Sequence, residues 1–88
     1  MKISDLSFVS DEPVNKTLTI GETEYTVGIK QISFADMEAS AGSSVGLISR
    51  AIIFDGGQTL TPEQAARLDV TTAASLIRLI NEVNAPKP

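Results

Sequence analysis

Carboxylates come nearest to a catalytic pattern in this chain of 88 residues. General acid–base chemistry would need two of them on one surface, with their pKa values pushed apart. Asp36 and Glu38 are two residues apart and do not share a helical face. Asp11 and Glu12 fall in a predicted loop. We therefore interpret these carboxylates as solvated surface groups.

The chain contains neither His nor Cys. The commonest general base, the strongest nucleophile and the commonest zinc ligands are therefore all missing. Together with the carboxylate spacing, this predicts a protein that is not an enzyme. We also expect no cofactor and no metal ion.

Two glycine-containing segments suggest ligand loops at first sight. Asp55-Gly56-Gly57-Gln58 begins like a calcium loop but lacks the alternating oxygen ligands and the terminal Glu. Gly42-Ser43-Ser44-Val45-Gly46 could suggest a phosphate cradle, but no Lys-Ser/Thr pair follows it and no strand is predicted before it. Both segments are predicted to be turns or loops.

The charge balance argues against nucleic acid as a partner. The chain has seven basic and eleven acidic residues, which gives a net charge of −4. The basic residues are spread evenly along the chain. Neutralising phosphates requires a concentrated basic face. The first residues lack the apolar stretch of a signal peptide, and no apolar run approaches the ~20 residues needed to span a bilayer. We therefore expect no membrane partner.

The strongest local signal is a β-hairpin between residues 14 and 30. Gly21 and Glu22 can form a two-residue type II′ turn, in which Gly21 supplies the positive φ. The register then pairs Ile20 with Thr23 and places alternate residues of both strands on one apolar face that only Lys16 interrupts. That face consists of Val14, Leu18, Ile20, Tyr25, Val27 and Ile29.

Helix-start signals follow the hairpin. Ser33 precedes a short helix with an apolar stripe of Phe34, Met37 and Ala41. Thr61 and the residues after it form a capping-box start for a helix over 62–68, and the last helix is predicted over 72–84. The predicted fold class is α+β: an N-terminal antiparallel hairpin and three to four short helices. The whole chain, 1–88, is expected to form one small domain, with an irregular lead over 1–13 and a frayed tail over 85–88.

Residues 45–54 are densely apolar, and their structure stays open between helix and strand, especially at Ile52-Ile53-Phe54. Read as a helix, this segment is apolar on two sides, which indicates either burial or contact with a partner. The last helix adds a further stripe. These two segments supply the predicted partner-binding residues, with burial in the core as the alternative for each. They are Leu47, Ile48, Ala51, Ile52, Phe54, Leu76, Ile80 and Val83.

Five sequence segments, in order along the chain, resemble segments of the tail assembly chaperones of siphophages and related prophages. Two lie before and within the hairpin: Phe8-Val9 with Glu12-Pro13-Val14, and Gly21 with Tyr25-Thr26-Val27. The third, Ile32-Ser33-Phe34-Ala35-Asp36, is similar to the family's LSFAD phrase. The last two are Ile52-Ile53-Phe54-Asp55-Gly56-Gly57 with Leu60-Thr61-Pro62-Glu63-Gln64-Ala65, and Leu76-Ile77-Arg78-Leu79-Ile80-Asn81-Glu82-Val83-Asn84. The chain departs from many members at Thr19 and Lys30, where they carry Trp and Arg.

The resemblance implies a non-enzymatic protein of the host cytoplasm that coats the long tape measure protein and recruits tail-tube subunits. It also implies self-association and absence from the finished virion. The main alternative is a structural tail or neck component that stays in the particle. A small antitoxin-like adaptor is a weaker alternative, because the chain has no basic DNA-reading helix.

Overall fold

The computed structural model describes residues 1–85. A three-stranded antiparallel sheet, with its strands in sequence order, and four α-helices make up the fold. The predicted α+β class, with an N-terminal hairpin followed by short helices, is confirmed. Before the hairpin there is only a short 3-10 turn, Ile3–Asp5, and of the predicted frayed tail only Ala85 is among the described residues. The elements are β1 (Val14–Ile20), β2 (Thr23–Ile29), α1 (Phe34–Ser40), α2 (Ser44–Ala51), β3 (Ile52–Ile53), α3 (Pro62–Ala66) and α4 (Val70–Asn84).

The hairpin has the register predicted from the sequence, from the Ile20–Thr23 pair at the turn to the Val14–Ile29 pair at the open end. Gly21 has a φ of 61°, while Glu22 keeps a negative φ. A positive φ at the first turn residue alone matches the type II′ turn and excludes type I′. The two-residue turn thus sets which side chains face the helices.

The open question over residues 45–54 is answered by a helix followed directly by a strand. The last turn of α2 ends at Ala51, and Ile52 takes an extended backbone with φ −102° and ψ 126°. Ile52 then pairs with Ile29 of β2, and the N–H of Lys30 donates to the carbonyl of Ala51 at 2.8 Å. Because the backbone changes direction here, Ile52 and Phe54 do not continue the two helical faces inferred from the sequence.

Capping side chains set the helix starts. The Ser33 hydroxyl accepts from the N–H of Asp36, as expected for a residue predicted to start a helix. The Thr61 hydroxyl accepts from the N–H of Gln64, as the capping-box pattern predicts. Helix α3 ends two residues before the predicted boundary. Helix α4 begins two residues earlier than predicted, because the Asp69 carboxylate caps it by accepting from the N–H of Thr72. Boundary shifts of this size are ordinary.

The core lies between the hairpin, α2, β3, α3 and α4. Its largest fully buried side chains come one each from β2, α2, β3 and α4. They are Ile29, Ile48, Ile52 and Leu76. The remaining buried apolar residues are Leu18, Val27, Ala51, Ala65, Leu79 and Ile80. The polar residues at alternate positions of β1 are exposed, so the opposite face of the hairpin is solvated.

Helices α1 and α2 meet at a close approach between Ser40 and Gly46. A Cβ atom added to Gly46 would lie 3.1 Å from the Cβ of Ser40, closer than side-chain atoms ordinarily pack. The Ser40 hydroxyl is buried there and has no hydrogen-bond partner within residues 1–85. The close packing of the two helices therefore favours glycine at position 46.

We expect Gly46→Ala to lower the free energy of unfolding by roughly 1–3 kcal/mol, because the added methyl overpacks the contact with Ser40. Urea unfolding followed by circular dichroism measures the change. Ser44→Ala, at an exposed position of the same helix, is the control and should shift stability by less than about 0.5 kcal/mol. Equal midpoints for Gly46→Ala and the wild-type chain would contradict the prediction, because they would show that Ser40 can move to accommodate the methyl group.

Candidate interaction surface

Five of the eight residues predicted to bind a partner lie in the core. Their side chains are at most a few per cent exposed, so they cannot touch another chain while the fold is intact. They are Ile48, Ala51, Ile52, Leu76 and Ile80. For these five positions the structure agrees with the alternative interpretation, burial in the core. Leu47, Phe54 and Val83 are half-buried and keep some accessible surface.

Phe54 lies in a shallow apolar groove beside the turn end of the hairpin, which we name the hairpin groove. Strand β3 covers only Gly28 and Ile29 of β2, so no strand among residues 1–85 lies beside the outer part of the hairpin on that side. The side chains of Ile20 and Tyr25 remain 46% and 50% exposed there. The groove has a volume of about 250 Å³ and is lined by Leu18, Ile20, Tyr25, Thr26, Val27, Phe54, Asp55 and Gln58.

A tight turn holds one wall of the hairpin groove in place. The N–H of Phe54 donates to the carbonyl of Gln58 at 2.7 Å, and the N–H of Gly57 donates to the carbonyl of Phe54 at 3.0 Å. Gly56 and Gly57 both have positive φ values, 77° and 76°. Such values favour glycine, which explains the Gly-Gly pair. The turn thus presents an aromatic ring beside the carboxylate of Asp55.

Val83 lines a second, larger groove between the N-terminal lead and the end of α4. This groove measures about 630 Å³ and includes Phe8, Val9 and Ile32. The Asn84 side chain forms one end by accepting from the N–H of Ile32 at 2.7 Å. The lead is attached there by a hydrogen bond from the N–H of Ser10 to Oε1 of Gln31, at 2.9 Å. Polar atoms make up much of this site, unlike the hairpin groove.

Sequence reasoning missed the exposed apolar side chains of α1. Phe34 is 78% exposed, and Met37, one turn further along α1, is also exposed. Their i, i+3 spacing was recognised as a stripe, but the same spacing describes core residues of α4. Nothing in the sequence shows that this stripe faces solvent, because that depends on which elements pack on either side of α1.

The ion pairs among the described residues are one separate pair and one cluster in which Glu82 contacts two basic side chains. Arg50 and Asp36 meet at 3.2 Å, Lys16 and Glu82 at 3.8 Å, and Arg78 and Glu82 at 4.0 Å. Within residues 1–85 no three metal-ligating side chains come together, and no helix is long and apolar enough to cross a bilayer. The surface of the described chain therefore offers apolar contact and a few exposed ion pairs.

The pKa of Asp36 is below its ordinary value despite partial burial, which acts to raise it. The hydroxyl and backbone N–H of Ser33 and the guanidinium of Arg50 all stabilise the carboxylate. This carboxylate thus ties the start of α1 to the last turn of α2.

Comparisons of the chain with protein-family models, with curated proteins and with solved structures find no match.

The lowered pKa of Asp36 predicts a pH dependence of stability. The stabilising effect is present above the ordinary aspartate pKa of about 4 and is lost as the pH falls through the lower folded-state value. We expect Asp36→Asn to cost about 1 kcal/mol or less at pH 7 and nothing near pH 2. Urea midpoints from pH 7 to pH 2 measure this. Glu38→Gln, on the same helix, should retain the wild-type profile, and parallel wild-type and Asp36→Asn profiles would contradict the assignment.

Proposed function

We propose that the chain is a phage tail assembly chaperone that binds the tape measure protein through the hairpin groove. The identity of the client follows from the resemblance of the five sequence segments to that family. The hairpin groove offers an apolar and aromatic surface to which such a client could bind. Leu47 and Val83, which are half-buried elsewhere on the surface, remain predicted contact residues.

The exposed Tyr25 beside Phe54 is the observation on which this proposal depends. Single exposed aromatic side chains are common on protein surfaces. Several of them grouped in one patch indicate a binding surface. The hairpin groove brings two of them together with Ile20. Its volume of about 250 Å³ lies below the range of about 300–1,000 Å³ typical of small-molecule pockets. It is suited to one side chain of a protein client.

A tape measure protein is long and largely helical, and its apolar stripes would aggregate if they were left bare. Each copy of this chain can cover only a short part of such a stripe with one groove. The net charge of −4 would keep the coated client in solution by mutual repulsion. Single contacts of modest strength also allow release when tail-tube subunits polymerise, and many copies together supply the affinity.

The first test is co-expression of this chain with the tape measure protein encoded in the same genome, followed by capture of this chain. The proposal expects soluble tape measure protein that elutes with many copies of the chain. An insoluble client beside a free chain would contradict it. Finding the chain in purified virions would favour the structural tail component.

Two matched variants test the groove itself. Tyr25→Ser removes a half-exposed aromatic ring from the groove and should lower client capture about tenfold or more, as expected for a central aromatic contact. Phe34→Ser removes an aromatic ring that is even more exposed but lies on α1, outside the groove. It should leave capture unchanged. Equal losses from the two variants would show unspecific apolar adhesion instead of binding in the groove.

A further inference from the structure

The outer edge of β1 is an unpaired row of backbone hydrogen-bonding groups. In a hairpin with a two-residue turn, Ile20 and Thr23 exchange hydrogen bonds, and every second residue after them does the same. The N–H and C=O groups of Asn15, Thr17 and Thr19 therefore point away from β2. Within residues 1–85 no strand pairs with this side of β1.

The edge lacks the usual features that prevent pairing. Strand β1 is seven residues long, contains no proline and has no bulge in its register. Native proteins generally shorten, bend or charge an exposed edge, because it otherwise pairs with another chain. The one charge on β1 is Lys16, which lies on the helix-facing side, where Glu82 of α4 partly neutralises it at 3.8 Å.

We propose that this edge binds a second copy of the chain, with the two β1 strands antiparallel and a two-fold axis at Thr17. Thr17 is the middle residue of β1, so this register overlaps the whole strand. It pairs Asn15 of one copy with Thr19 of the other and lets Thr17 pair with itself. Each such pair exchanges two backbone hydrogen bonds.

The apolar residues of β1 match the same axis. Val14 and Ile20 are 41% and 46% exposed, and each is three residues from Thr17. The two-fold axis therefore places Val14 of one copy directly opposite Ile20 of the other, on the face that carries the core. Two exposed apolar side chains in the single chain thus become two cross-strand apolar contacts in the pair.

Helix α4 extends the self-complementary surface. The Lys16–Glu82 contact shows that the side of α4 bearing Glu82 lies next to β1. This side carries the small residues Ala74 and Ala85, with Ile77 between them. Arg78 and Glu82 on the same side have opposite charges, so an antiparallel α4 from a second copy would bring Arg78 toward Glu82 of its neighbour. Charge complementarity therefore favours a second copy of this chain as the occupant.

Pairing at β1 produces a closed dimer. The continuous sheet would end on both sides at β2 and the two-residue β3 that covers its last part. A two-fold contact uses the same surface on both copies and cannot propagate. This inference locates the self-association expected under the proposed function, but it concerns the isolated chain. It can therefore fail while client binding succeeds, or succeed while client binding fails.

Opposite charges at position 17 test the axis. Thr17 is exposed and would lie opposite itself, so Thr17→Glu and Thr17→Lys each place like charges together in a homodimer. Each variant alone should sediment as a monomer over about 1 to 500 µM, a range in which the wild-type chain should dimerise. An equimolar mixture of the two should restore the dimer. A wild-type chain that remains monomeric throughout, or a mixture that does not associate, would overturn the proposal.

Thr26→Glu is the matched control, because Thr26 is also an exposed threonine and pairs with Thr17 across the hairpin. It lies one strand away from the axis and should leave the dimer intact. Loss of the dimer in Thr26→Glu but not in Thr17→Glu would move the interface to β2 and overturn the proposal. Since the chain has no cysteine, Thr17→Cys offers a direct readout. Its disulfide-linked dimer should form on mild oxidation, while Thr26→Cys should remain monomeric.

Discussion

The structure depends on the contact among Ile29, Ile48, Ile52 and Leu76, which joins the sheet to the helices. These four side chains are the largest fully buried ones and come from four different elements. Burying each contributes about 1.5–3 kcal/mol. A chain of this size buries only about 60% of the surface of its unfolded state, so it has few other large side chains with which to hold the layers together. Apolar residues at these positions are therefore unavailable to a partner.

Local signals sufficed for the hairpin and the helix starts. Period-two alternation around Gly21 gives one register, because a shift by one residue would turn the apolar face to solvent. Ser33 and Thr61 act within their own helices, so their effect can be read from neighbouring residues. The change from α2 to β3 at Ile52 is different. It depends on pairing with Ile29, a contact between distant parts of the chain that no local pattern contains.

Local patterns also do not show which apolar faces are buried, and for this reason most of the predicted binding residues lie in the core. On α4, Leu76 and Ile80 form an apolar stripe that faces the hairpin and is buried. On α1, Phe34 and Met37 have equivalent spacing but face solvent. Helix α1 contacts α2 on the side of Ser40, where Gly46 permits a close approach, and its stripe lies elsewhere. Hydrophobic periodicity identifies a face, whereas its burial depends on the element that lies opposite.

The hairpin is longer than the helical layer that supports it. Leu18, Val27 and Ile29 are buried, while Ile20 and Tyr25 on the same face extend beyond the core. In the isolated chain this overhang, formed by Ile20 and Tyr25, leaves apolar side chains half exposed to water, where they contribute little to the stability of the fold. A ligand that binds the folded state there would stabilise it by mass action. The hairpin end is therefore a place where a bound partner would stabilise the fold.

Both proposed contacts use this overhang, from different sides. The second copy would approach along the outer edge of β1, whereas the hairpin groove lies toward Phe54, which follows β3 at the other end of the sheet. A client and a second copy would therefore not compete for the same surface. The two surfaces meet at Ile20, which lines the groove and would also pack against Val14 of the second copy. Any shift of Ile20 on pairing would alter the groove wall, and linkage requires that client binding change the dimer affinity by the same factor. The assembly of several copies on one client would then depend on Ile20, which is half exposed because the core does not cover it.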